Sequence, residues 1–411
     1  MGPANKGAAM SDRAEIAPPG PATAQLDEET LLRRLEGLVP VLRDRAPDTE
    51  ELRAIPQQTI DDVWETGYLS AFKTRYFGGP GLSLSALANG ARILAHGCAS
   101  TAWTMVFLAQ HTWMFAKANL QLQEELLGGE RPGMQAGALG RLGVAVRVPG
   151  GYRVTARSDW NSGVMHADWV NCKAVIDGDD TVMMVVMPTS DVVIEDVWHT
   201  AGMRGTGSNT IVADDLFVPA HRVQPSSEFL GTKAHPVHDD EPWASYPFVP
   251  VVMCTLSSVV LGTAEAAVEE FRSLLERRSL AFSGGAKQVD QPMSQLRLGE
   301  AVSTLRSAQL TWRNMVDRII ERCEARNELT VAERVAIRLD AGRVVHDCRR
   351  LLDDVIMPNA GGSSYFKSSS LQRMQRDIEV IKGHAMFDWD RTALLAGRVE
   401  LGMDPAPTDL I

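Results

Sequence analysis

The sequence is poor in the features that mark secreted, metal-clustered or nucleic-acid-binding chains. Its five cysteines (Cys98, Cys172, Cys254, Cys323 and Cys348) are odd in number, scattered and never paired as CxxC. That sets aside a disulfide framework and a zinc cluster, and reads the thiols as reduced, mostly core residues. Lys and Arg total 41 against 52 Asp and Glu, a net charge of −11, so the basic footprint that phosphate backbones require is missing. No run approaches the ~18 consecutive apolar residues of a spanning helix. The opening MGPANKGAAMSDRAEIAPPGPATAQ lacks an apolar signal core, so the expectation is a cytoplasmic protein that meets neither membrane nor nucleic acid. There is no GxSxG, and no cysteine has a persuasive histidine partner, which sets hydrolase chemistry aside. His235, His238, Asp239 and Asp240 have metal-like spacing without a further convergent ligand, so no metal is expected.

What is present is ordinary globular material, 45% hydrophobic and 23% charged, ample for a large core. Residues 1–26, rich in Gly, Pro and Ala, read as a flexible leader. Residues 27–133 are helical: Leu31, Leu35, Leu38 and Leu42 recur at helical spacing. Ser100 to Leu122 is Ala-, Met-, Leu- and Trp-rich, and GGERPG (Gly128 to Gly133) ends the region. Residues 134–235 turn to β-branched runs (GGYRVTA, DWVNCKAVI, TVMMVVM, DVVIEDVW, NTIVADDLFV), which predict a compact antiparallel sheet or small barrel. Residues 236–411 return to helix. Leu305, Ala308, Trp312, Met315, Ile319 and Cys323 form one stripe, and Thr330 with Glu333 spells a capping box for the next helix. No strand–helix–strand alternation appears. The fold class is α+β, mainly α.

Three segments could carry chemistry, and each has a plain alternative. Trp198 to Arg222 packs Gly202, Gly205 and Gly207 with Arg204, Thr206 and Ser208; this is either a turn cluster or a loop whose hydroxyls and Arg address a flavin or phosphate. Its spacing fails as a dinucleotide fingerprint. Ser158 to Trp169 places Trp160, Asn161 and Ser162 at a strand end, either a hairpin with a core tryptophan or an aromatic face with donors for a planar heteroaromatic ring. Asn359 to Asp390 joins a Gly-Gly turn to a helix expected to carry Arg373, Arg376, Asp377 and His384. His384 there, and His111 in STAWTMVFLAQHTWMF, are either packing residues or catalysts.

Taken in order, ASTAW before His111, GGYRVTA…SG…HADW, GMRGTGS followed by VADDLFVPAHR, and GGSSYFKSSSLQRMQRD before His384 resemble the acyl-CoA dehydrogenase fold. Within it, the chain is similar to two-component (group D) flavin-dependent monooxygenases, which hydroxylate aromatic compounds with reduced flavin and O2. The likeness spans Leu26 to the C-terminus. It implies an N-terminal helical domain, a central β-domain and a C-terminal four-helix bundle assembled as a homotetramer, a dimer of dimers. It further implies that Trp160, Asn161 and Ser162 border the isoalloxazine with Ser208 nearby. Arg277 or Arg278, and the turn of Gly361, Gly362 and Ser363, would approach the phosphate end. Relatives usually carry a Trp near position 158, where this chain has Ser158 and places its Trp at 160.

Common acyl-CoA dehydrogenases hold a carboxylate base about eight residues beyond the Arg-Asp pair; here that place reads His384-Ala385. The expected activity is therefore oxygen chemistry through a flavin C4a-hydroperoxide, which survives only where water is excluded and the N5 proton is held. Asn161 or Ser162 would bond near N5, His384 would stabilise the hydroperoxide, and His111 would orient or deprotonate a phenol. The partners expected are FMNH2 or FADH2, a separate NAD(P)H:flavin reductase and a small aromatic from natural-product (polyketide or indole) biosynthesis or aromatic catabolism. Amine N-hydroxylation on the same fold, and an acyl-CoA dehydrogenase with a displaced base, stay open at this point.

Overall fold

Asp27 starts the first helix. Its carboxylate accepts the Thr30 amide at 2.7 Å, and the helix closes on Arg53 in the left-handed conformation. The computed structural model describes residues 26–280, 284–406 and 409–411; the leader expected over 1–26 lies outside the described residues, Leu26 excepted. The helical N-terminal region comprises α1 (Glu28–Leu52), α2 (Gln57–Thr66), α3 (Leu84–Gly97), α4 (Ala99–Met114) and α5 (Leu120–Leu127). The long apolar stretch after Ser100 breaks in two because Asn119 caps α5, accepting the Leu122 amide at 2.9 Å.

Seven strands follow: β1 (Gln135–Val148), β2 (Gly151–Asn161), β3 (Trp169–Ile176), β4 (Val182–Pro188), β5 (Val193–Glu195), β6 (Asn209–Pro219) and β7 (Val223–Pro225). Their order, β5-β6-β2-β1-β3-β4-β7, is an open sheet. It corrects the expectation of a purely antiparallel sheet, because β1 and β3 pair in parallel, Gln135 opposite Trp169 and Gly137 opposite Asn171. The sheet curls until β6 nears β4, enclosing Ala136, Val154, Val170, Cys172, Val185 and Ile211. Its other face sends Met184 and Val186 into the large helical core. DVVIEDVW supplies only the short β5, while the Gly- and Ala-rich β1 was absent from the expected strands.

After α6 (Ser226–Leu230) the C-terminal helices are α7 (Phe248–Arg277), α8 (Pro292–Glu324), α9 (Val331–Arg350), α10 (Met357–Ala360), α11 (Ser370–Ile381) and α12 (Trp389–Glu400). Helix α7 is apolar enough by length and composition to cross a membrane, yet its whole apolar window is buried among its neighbours, which makes it the core helix. Gly262 lets α3 lie directly on it, since a Cβ there would come within 2.1 Å of the Arg92 carbonyl oxygen. Arg92 then turns back to grip Glu265 with N–H···O distances of 2.6 to 3.0 Å. The capping box forms as expected: Thr330 Oγ1 accepts the Glu333 amide while Glu333 accepts the Thr330 amide. A π-helical turn, Leu351–Ile356, joins α9 to α10.

Candidate functional site

Helix α4 is buried along almost its whole length, so the side chains it presents are fixed by packing. Trp103, Phe107 and His111 lie at steps of four and therefore in one line along it. Their rings touch in sequence, Trp103 to Phe107 at 5.3 Å and Phe107 to His111 at 6.2 Å between centroids. His384 meets Trp103 edge-on at 5.8 Å. The two histidines singled out from sequence thus stand at opposite ends of one aromatic wall. His384 is not on α11, as expected, but beyond its end. The chain leaves the helix at Lys382 and Gly383, and His384 caps the short turn Ala385–Phe387.

Against this wall stands a chain of hydroxyls. β2 ends in a turn where Gly163 takes the left-handed conformation and its amide donates to the Thr206 carbonyl at 2.9 Å. A Cβ at Gly163 would lie 2.9 Å from Thr104, so the missing side chain lets the turn seat on α4. Ser162 Oγ accepts the Trp103 indole N–H at 3.1 Å and lies 2.8 Å from Ser208 Oγ, which is 2.7 Å from Thr206 Oγ1. Thr206 donates to the Met203 carbonyl at 2.9 Å. Each hydroxyl has one proton, so the direction is forced: Ser162 donates to Ser208, Ser208 to Thr206, Thr206 to Met203. Ser162 then has its proton committed inward and one lone pair left to accept.

Asp377 holds the far end of that chain. Its Oδ1 accepts the Met203 amide at 2.5 Å, and Gly202 lies so close to α11 that a Cβ would sit 2.1 Å from the Arg376 carbonyl oxygen. Arg376 also pairs with Glu50 of α1 at 2.6 Å. The glycines of the Trp198–Arg222 segment therefore serve a close approach of loop to helix. Burial raises the Asp377 carboxyl to about 6.

Both wall histidines are neutral, each pushed down to about 4 by burial. His384 Nδ1 accepts the Met386 amide at 3.3 Å, which places its proton on Nε2 as an outward donor. His111 is 6% exposed and faces the main chain of Phe107 and Gln135, with no side-chain partner for Nδ1 among the described residues.

The remaining residues singled out from sequence divide. Trp160 is in the left-handed conformation and 67% exposed, and its carbonyl accepts the Ser162 amide at 3.0 Å. Asn161 is wholly buried, and its amide donates to the carbonyls of Ser158 at 2.7 Å and Asn209 at 3.2 Å, stitching β2 to β6. Arg277 is occupied by Glu270 and Ser273 on its own helix. Arg278 instead lies against the C-terminal turn, donating to the Ala360 carbonyl beside Gly361, whose missing side chain makes room for the guanidinium. Gly362 and Ser363 are exposed there. His238 turns to Gln123 at 2.7 Å, and among the described residues no His, Cys, Asp and Glu cluster could hold a metal. Sequence reasoning gave no role to Trp103, Phe107, Gln135 or Asn171. The spacing Trp103–Phe107–His111 was the available signal for the first two.

Residues 254–389 match the family model described as acyl-CoA dehydrogenase, C-terminal domain. The chain is 32% identical to a pigment production hydroxylase of a Rhodococcus species, over 91% of this chain and 96% of that protein. It is 29% identical to the flavin-dependent monooxygenase oxygenase subunit HsaA of Mycobacterium tuberculosis, over 93% and 98% of the two chains. Among solved structures, XiaF from a Streptomyces species, in complex with FADH2 and glycerol, superposes with a TM-score of 0.87 at 26% identity, covering 93% of this chain and 98% of that one.

Proposed function

The chain belongs to the reduced-flavin-dependent monooxygenases built on the acyl-CoA dehydrogenase fold, and we propose that it hydroxylates a phenolic aromatic in a pocket between the Trp103–Phe107–His111 wall and the Ser162 turn. It is the oxygenase component of a two-component system, so a separate reductase supplies the reduced flavin. The observation that carries the proposal is the directed chain from the Trp103 indole through Ser162, Ser208 and Thr206 to Met203.

The residues present fit a flavin at two places. Ser162 offers an oriented lone pair in a buried setting, which suits an N–H of a reduced tricyclic ring. Arg278 and the left-handed Gly361 make a cationic turn with exposed main chain, which suits the phosphate end. Reduced flavin supplies the activation of dioxygen; this chain supplies the surroundings. Ser162 holds the ring proton in place, because its own proton is committed elsewhere. The apolar wall excludes water. His384 donates from Nε2, and stays neutral well below physiological pH. His111, also neutral, accepts or orients the phenolic hydroxyl.

The desaturase alternative asks for a buried carboxylate base. Among the described residues the buried carboxylates are Glu241, Glu265 and Asp377. Glu241 holds the Arg75 amide and the Trp243 indole, Glu265 is occupied by Arg92, His96 and Gln309, and Asp377 by Met203. Glu241 and Glu265 thus have both oxygens engaged, and Asp377 is committed through Oδ1 at the far end of the hydroxyl chain from Ser162. A homotetramer is supported by apolar side chains left exposed on α8 (Met293, Leu296, Val302, Leu310) and beside the Gly361 turn (Tyr365, Phe366), positions that a second copy would cover. A soluble, cytoplasmic setting fits the burial of α7 and of four of the five cysteines.

The test is incubation with a generic reductase, NADH, flavin and a panel of phenols and amines. Hydroxylated product is the expected outcome; peroxide alone would leave a flavin carrier, and product from amines only would favour N-hydroxylation.

A further inference from the structure

Buried polar groups in folded proteins are almost always paired, so a buried cluster lacking protein partners points to a ligand. One such cluster lies where β1 and β3 face α4. Gln135 is 1% exposed, and neither its Oε1 nor its Nε2 finds a hydrogen bond among the described residues. Asn171, equally buried, donates from Nδ2 to the Ala136 carbonyl at 3.3 Å but leaves Oδ1 without a partner. Its register partner is Gly137, and a Cβ there would lie 2.2 Å from Asn171 Oδ1, so the glycine admits the amide. The alternation of side chains puts Gln135 and Asn171 on the sheet face that carries Met184 and Val186 to the helices, not on the face enclosing the sheet's own core. His111 turns its ring to the main chain of Phe107 and Gln135, and so borders the two amides.

We propose that Gln135 and Asn171 form a carboxamide pocket that reads a second, uncharged oxygen function of the substrate, on the carbon adjacent or peri to the one whose hydroxyl meets His111. The inference rests on the hydroxylation reading above and names the substrate class for that site. Gln135 brings two donors and an acceptor and Asn171 a further acceptor, the complement of a group that both accepts and donates, such as an amide or a hydroxy-ketone. No charged side chain bonds to either amide, which favours a neutral group over a carboxylate. Because the His111 ring lies against the Gln135 main chain, from which the Gln135 amide extends, the proposal places the two substrate functions on neighbouring carbons; a para arrangement would leave the amides unpaired. A site built to hydrogen-bond a polar group rejects the analogue that lacks it more strongly than a greasy pocket rejects an extra methylene.

Salicylamide and 2-ethylphenol are similar in size and differ in that second function. With reductase-supplied flavin, the enzyme should show a KM for salicylamide about tenfold below that for 2-ethylphenol. Gln135→Leu should erase the difference by raising the salicylamide KM alone. The melting temperature of the ligand-free variant should not fall, since the amide has no protein bond to lose, and Gln135→Met should behave alike. Equal KM values in the parent enzyme, or a variant that weakens both probes and melts lower, would make Gln135 a packing residue and overturn the pocket while hydroxylation stands. If neither probe is hydroxylated, the functional reading fails, and calorimetric titration of the two probes still decides: a preference for salicylamide that Gln135→Leu removes upholds the pocket, and no preference overturns it.

Discussion

The two ends of the site are equally buried and oppositely wired. At the Ser162 end the hydroxyls of Ser162, Ser208 and Thr206 all have partners, and the chain runs in one direction from an indole on α4 to a main-chain carbonyl that α11 clamps through Asp377. At the His111 end, the side-chain amides of Gln135 and Asn171 keep atoms without partners among the described residues. Satisfied networks are rigid and specify one geometry, whereas unsatisfied buried groups persist at a cost of about 1–3 kcal/mol each. The first end is thus prepared by the fold to receive the same ring in every turnover, and the second is completed by what enters it. A cofactor common to a family and a substrate particular to one enzyme would produce this contrast.

The contrast can be broken in four ways. The largest effect is expected from Ser162→Ala, which removes the oriented acceptor and the partner of the Trp103 indole N–H. Product formation should fall about a hundredfold in favour of peroxide, the scale of losing one preorganised hydrogen bond; an unchanged product-to-peroxide ratio would show the hydroxyl chain to be structural only. Next comes His111→Leu at the open end. It should raise the KM for a phenol about tenfold without altering flavin affinity, and a parallel loss of flavin binding, followed by fluorescence, would merge the two ends into one.

The third concerns pH. Asp377 has its folded value raised by burial to about 6, so its contribution to stability falls as pH rises through the window from 3.8 to about 6. His111 and His384 have folded values lowered to about 4, so theirs falls as pH drops from 6.5 to about 4. The two trends oppose each other over the same window. Asp377→Asn keeps an acceptor for the Met203 amide and deletes the first trend, so its melting temperature should decline more steeply from pH 6.5 to pH 4; parallel curves would contradict the assignment. The smallest effect separates stability at the two ends. Thr206→Val should cost about 1–2 kcal/mol in urea unfolding, because it orphans Ser208, while Gln135→Leu costs none.

Much of this arrangement was visible in the chain itself, because it depends on short spacing. The line Trp103–Phe107–His111 follows from helix periodicity, the capping box from Thr330 and Glu333, and the change from helix to sheet and back from β-branched runs. What escaped depends on partners distant in sequence. β1 is rich in Gly and Ala because Gly137 must admit the Asn171 amide and Gly143 lies against β2, reasons that exist only once the strands pair. Parallel pairing of β1 with β3 has no local signature. Asn161 read as a ring donor, yet its amide is committed to two carbonyls, one of them 48 residues away. His384 read as helical because it follows α11 closely, yet the helix closes at Lys382 and His384 caps the next short turn.

The most direct test of the whole account is hydroxylation under isotopically labelled dioxygen, with reduced flavin supplied by an unrelated reductase and product analysed by mass. The Ser162 and His111 ends acting together predict a phenol that gains one labelled oxygen atom, with little free peroxide. A product whose new oxygen comes from water, or desaturation of a thioester in place of hydroxylation, would contradict it.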